Sequence, residues 1–134
     1  MNANRLLLSI VVLSVVANGY DFLVHNVLLK ATYQAHQDLL NVPQRLGLLI
    51  FADIVWVILF CWFYAAFARG RGFRLSTGLW FGFFVGLIAG WMPQVYSRLV
   101  LAGFPIAFYI SWGVANLVRS LLLGAVIGRL YHER

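Results

Sequence analysis

Four side chains capable of acid–base or ionic chemistry lie inside strongly apolar stretches of this 134-residue chain: Asp21, His25, Asp53 and Arg119. A charged group in hydrocarbon is expensive unless it is paired or hydrated. These residues therefore either clamp segments together or form a site for a proton, an ion or an anionic ligand. Arg119 needs an acceptor, and Asp21 and Asp53 are the only acids within the apolar stretches. A charge-assisted pair between Arg119 and one of them, Asp53 by preference, is expected. Asp21 and His25 stand one helical turn apart, so the carboxylate is expected to orient the imidazole or hold its protonated form.

The same helix carries Ser14 and Asn18, and steps of four, three and four place Ser14, Asn18, Asp21 and His25 on one side. That row must point into a bundle, a partner chain or a water-filled crevice. With Asn116 beside Arg119 on the last stretch, the expected intramembrane polar cluster is Asn18, Asp21, His25, Asp53, Asn116 and Arg119.

Other chemistries fail on spacing. Ser14 lies about 16 Å along the helix from His25, which rules out a hydrolytic triad built from Ser14, His25 and Asp21. His36 falls outside the apolar run and His132 at the other end, so no metal site is expected, nor a haem held by two histidines of one chain. Cys61 is the one cysteine, which excludes an intramolecular disulfide exchanger and suits a small packing residue. The segment RGRGFR has glycines but lacks the strand and helix context of a phosphate-cradling loop. No enzymatic activity is expected.

The elements that must position these groups follow from composition. Hydrophobic residues make up 63% and charged residues 10% of the chain, which removes it from the ordinary globular class. Apolar runs at about residues 6–29, 46–68, 77–97 and 105–130 are each long enough to cross roughly 30 Å of hydrocarbon. The ten-residue alternation of a membrane β-barrel is missing. The expected fold is an all-α, four-transmembrane-helix bundle forming a single integral membrane domain over residues 1–134, without a tail. Arg5 followed by LLLSIVVLSVVA has the make-up of a secretory signal cleaved after Ala17. The apolar character continues to Leu29, however, and the run is read as a retained first crossing. The polar stretch ATYQAHQDLLNVPQ is expected to be the longest loop, with Pro43 at the turn into the second crossing. Pro93 is expected to kink the third helix, and Pro105 to open the fourth in its first turn.

Gly78, Gly82, Gly86 and Gly90 repeat every four residues through the third run, and Asn116, Ser120, Gly124 and Gly128 repeat the spacing in the fourth. An interior glycine costs about 1 kcal/mol against alanine in a helix. Close helix approach offsets that cost in lipid, where association depends on van der Waals contact and interhelical hydrogen bonds. The row is expected to be a helix-packing face of the glycine-zipper kind, with Gly78, Gly82, Gly86, Gly90, Gly124 and Gly128 at contacts. Its partner would be the fourth helix, another copy of the chain, or the flat ring of a haem or pigment.

Lys and Arg bias sets orientation. Arg5, Arg69, Arg71, Arg74, Arg129 and Arg134 would share one side of the membrane, against Lys30, Arg45 and Arg98 on the other. Both termini are thus expected in the cytoplasm of a bacterial-type inner membrane. The net charge of +6 then reflects topology and contact with anionic lipid rather than nucleic acid. No family-specific motif is present. The leading expectation is a structural or accessory membrane subunit, as a homo-oligomer or within a larger membrane complex. Its rivals are a small transporter or channel using the polar cluster, and a haem- or pigment-binding redox subunit with His25 as ligand.

Overall fold

The computed structural model describes residues 3–37, 46–100 and 103–131, and every regular element among them is helical. Helix α1 spans Ala3–Leu23 and passes directly into a wider π-helical turn, Val24–Leu28. A short helix α2, Lys30–Ala35, follows the bend at Leu29. Next come α3 (Leu46–Ala68), α4 (Leu75–Val85), a second π-helical segment (Gly86–Trp91), α5 (Met92–Val100) and α6 (Ile106–Leu130). Four continuous helical stretches, Ala3–Leu28, Gly47–Ala68, Leu75–Leu99 and Ile106–Leu130, are long and apolar enough to span a membrane.

Three local features differ from the expectation. The polar stretch after Lys30 is not loop throughout: its first part is α2, while Pro43 lies outside the described residues. The third long helix runs past Pro93 to Val100, and where a kink at the proline was expected its irregularity is a π-helical segment just before that residue. Proline has no amide to donate and its ring crowds the carbonyl one turn earlier. Widening the preceding turn, where the Met92 amide reaches back five residues to Leu87, lets the helix pass that point. Pro105 precedes the first helical residue of α6, with an extended ψ of 149°, instead of lying within its first turn.

The turn between α3 and α4 explains the sequence RGRG. Gly70 and Gly72 have φ of 77° and 82°, a left-handed region that glycine enters without steric penalty. The amides of Arg71 and Gly72 return to the Ala68 carbonyl at 3.0 and 3.1 Å and close the helix end.

Contacts run α1 to α3, α3 to α4, α4 to α6 and α6 to α1, a ring in which chain neighbours are spatial neighbours and the last helix closes on the first. Two apolar cores fill it. One contains Leu13, Val57, Tyr64, Phe81, Leu123 and Ile127; the other contains Val24, Leu29, Phe108 and Tyr109. Large apolar side chains also cover the outside, among them Val15, Phe51, Trp62, Ile88 and Leu99, the last 81% exposed. An apolar exterior of that extent is foreign to a protein surrounded by water.

Candidate functional site

A polar layer separates the two cores. Asp21 on α1 follows Ala17 and precedes Val24 of the π-helical turn, and Arg119 lies between Ala115 and Leu123 on α6, so both fall at the boundary between the clusters. Asp53 sits about 10 Å from the start of α3, and Asp21 a similar distance from the end of the π-helical turn, which brings the two acids to one level. Arg119 starts nearer the middle of α6, and its long side chain covers the difference.

Arg119 is buried, with 8% of its surface exposed. Its Nη2 donates to Asp53 Oδ1 and forms an ion pair with Asp21 Oδ2 at 2.9 Å. The expectation of a single partner is therefore corrected: both acids share one guanidinium nitrogen, and the ion cluster joins α1, α3 and α6. The guanidinium carbon also lies 4.7 Å from the centre of the Trp56 ring, one turn beyond Asp53 on α3. With both carboxylates ionised the cluster carries one negative charge in excess.

His25 is placed differently from expectation. Its Nδ1 meets the Tyr33 hydroxyl of α2 at 2.7 Å, so the phenol, rather than Asp21, orients the ring. The reason is geometric: Asp21 is engaged by Arg119, and the bend at Leu29 brings Tyr33 of α2 against the π-helical turn that carries His25. Tyr33 stacks on His25 with ring centres 5.7 Å apart, and Trp112 makes a T-shaped contact with the imidazole at 6.1 Å. Burial pushes the Tyr33 hydroxyl up to about 12, so it stays protonated at neutral pH.

Asn18 donates its Nδ2 to the Ser14 carbonyl of its own helix at 2.9 Å. Asn116 is half-buried and lies against Gly90, where an added Cβ would come within 2.9 Å of its own. The other glycines of the two rows lie at the contact of α4 and the following π-helical segment with α6. A Cβ at Gly78 would overlap the Gly124 carbonyl oxygen and approach Gly128 Cα at 2.9 Å, and one at Gly82 would overlap the Ser120 carbonyl oxygen. At Gly86 it would sit 3.0 Å from Leu117 Cα. Reciprocally, Gly124 faces Gly78, and Gly128 faces Arg74 and Leu75. The expected row thus lies along α6 within the chain.

Sequence reasoning missed three participants. Trp56 stands three residues after Asp53, a spacing that shares a helix face and could have marked it. Tyr20 donates its hydroxyl to the Ala115 carbonyl at 2.8 Å, tying α1 to α6 beside the ion cluster, and only its adjacency to Asp21 hinted at this. Tyr33 was unreadable because its stretch reads as loop.

Two open grooves flank the bundle. One of about 360 Å³ runs between α2 and the start of α6, past Thr32, His36, Pro105 and Ser111. The other, about 710 Å³, lies at the α3–α4 turn between Phe67, Arg71, Arg74 and Trp80. Among the described residues no group of three or more His, Cys, Asp or Glu side chains is arranged to hold a metal ion. The chemistry the polar layer offers is ionic and hydrogen-bonding. Comparison with family models, curated proteins and solved structures finds no match to the chain.

Proposed function

We propose that the chain is a small multi-pass protein of a bacterial-type inner membrane, with both termini cytoplasmic, that works as a structural or accessory subunit rather than as an enzyme. The observation that carries this reading is how the interior polar groups are used: Arg119 engages Asp21 and Asp53, Tyr20 engages a backbone carbonyl, and the glycine row lies on α6. Groups matched in this way hold helices in register, and the apolar exterior remains for lipid and for other membrane helices. Native mass spectrometry after extraction in mild detergent tests it. The expected result is either several copies of the chain or a stoichiometric complex with another membrane protein. A monomer without protein partners would overturn the subunit reading.

One observation favours a second reading, a small transporter or channel. Two acids share a single cation between the cores, and ionisable groups at such depth mark ion or proton pathways by default. Purified protein in vesicles with an imposed ion or pH gradient tests it: flux that depends on Asp21 and Asp53 supports transport, and flux unchanged by Asp21→Asn and Asp53→Asn removes it.

A further inference from the structure

The groove at the α3–α4 turn carries its charged side chains at one end and aromatic rings toward the other. Arg71 and Arg74 stand at the turn, Ser76 in the first turn of α4, and Trp80 and Phe84 about 9 and 15 Å further along the helix from Arg74, opposite Phe67 of α3. Polarity therefore changes along the groove in the same direction as it does from the headgroup to the acyl chains of a lipid.

The charged end suits a phosphate. The Arg71 guanidinium lies 4.6 Å from the centre of the Phe67 ring and donates through Nη1 to the Phe67 carbonyl at 2.9 Å, which fixes its plane at the groove wall. An arginine fork held in place binds phosphate oxygens with directional, charge-assisted bonds. Arg74 precedes α4, whose first turn has no side-chain cap; the first helical bond to its carbonyl comes from Gly78 at 3.0 Å. The amides before Gly78 thus add the positive end of a helix to the two arginines. Residues 69–76 contain three arginines and no acid. A zwitterionic headgroup would bring its own cation into this positive field.

We propose that this groove binds one anionic diacyl phospholipid, with Arg71 and Arg74 on the phosphate and Phe67, Trp80 and Phe84 along an acyl chain. The proposal rests on the reading of the chain as membrane-spanning, with its 69–76 turn at headgroup level.

The test places the protein in nanodiscs containing equal parts phosphatidylglycerol and phosphatidylcholine with identical acyl chains, then releases it gently and counts retained lipids by native mass spectrometry. Phosphatidylglycerol is expected in excess by about thirty-fold, the scale set by two basic side chains at about 1 kcal/mol each near an anionic lipid. R71Q/R74Q should abolish the excess, R129Q on the exposed end of α6 should keep it, and Trp80→Ala should weaken retention with both arginines in place. Circular dichroism checks folding, and if R71Q/R74Q does not fold, Trp80→Ala decides. Equal retention of the two lipids, an excess that survives R71Q/R74Q, or Trp80→Ala retention equal to wild type would overturn the proposal. So would displacement of the lipid by millimolar inorganic phosphate, which would indicate a site for the free anion. Failure to enter nanodiscs at all would instead overturn the membrane reading.

Discussion

Arg119 on α6 and Asp53 on α3 are joined by a charge-assisted hydrogen bond although they are 66 residues apart and their helices are not consecutive in the ring. Asp21 joins the same Arg119 nitrogen from α1. Three helices therefore meet at one guanidinium, and the arrangement predicts unequal responses to mutation. Arg119→Leu leaves two carboxylates unpaired and should lower stability by about 3–5 kcal/mol, the range for breaking a buried pair from one side. Asp53→Asn and Asp21→Asn should each do less harm, because the other acid still faces the arginine. Adding Asp53→Asn to Arg119→Leu should recover part of the loss. Unfolding in detergent of the single and double variants measures this, and strictly additive losses would show that Arg119 and Asp53 do not interact.

The glycines separate into two classes. An added Cβ at Gly82 would overlap the backbone of Ser120, whereas at Gly19 it would meet nothing within 4 Å. Gly82→Ala should force α4 and α6 apart and destabilise the protein, and Gly82→Leu more so. Gly19→Ala should be neutral or stabilise by up to about 1 kcal/mol, since alanine is the better helix former. Leu87→Ala, away from the closest backbone contacts, should matter less than either Gly82 change. Thermal melting of the variants ranks them; equal tolerance at Gly19 and Gly82 would contradict the contact.

Orientation is testable by labelling. A cysteine at exposed Gln37 should react with an impermeant thiol reagent applied from outside, and one at Gly72 should not, because the arginine-rich turn is proposed to face the cytoplasm. Buried Cys61 should stay silent in both variants. Reaction at both introduced sites would indicate dual insertion.

Tyr33 gives a pH signature. Its hydroxyl ionises at about 12, above the ordinary value of 10.0. A group whose folded pKa is raised contributes stability that is fully present below pH 10 and is lost as pH climbs toward 12. Relative to Tyr33→Phe, the wild type should therefore keep a constant stability difference up to about pH 10 and lose ground above it. The tyrosinate absorbance missing from Tyr33→Phe should appear near pH 12; its appearance near pH 10 would mean that the phenol is not buried against His25.

Hydropathy alone determined the four membrane-length helices, because burying backbone in apolar surroundings depends on the local run of side chains and not on which helix lies next to which. The four-residue glycine spacing likewise carried its meaning in the sequence, since a helix places such residues on one face. Three outcomes depended on the tertiary arrangement. Arg119 could be matched to an acid by type, but its engagement of both Asp21 and Asp53 followed from the order of helices around the ring and their relative heights. His25 turned to Tyr33 because the bend at Leu29 brings α2 against the π-helical turn, in a stretch whose polarity reads as loop. The third helix passed Pro93 by widening the turn before it, and the residue type alone does not decide this, since the proline's steric demand can be met by a kink, a break or a π-helical turn. A residue's type states what partner it needs, and the partner it finds is set by the rotation, depth and neighbours of its helix.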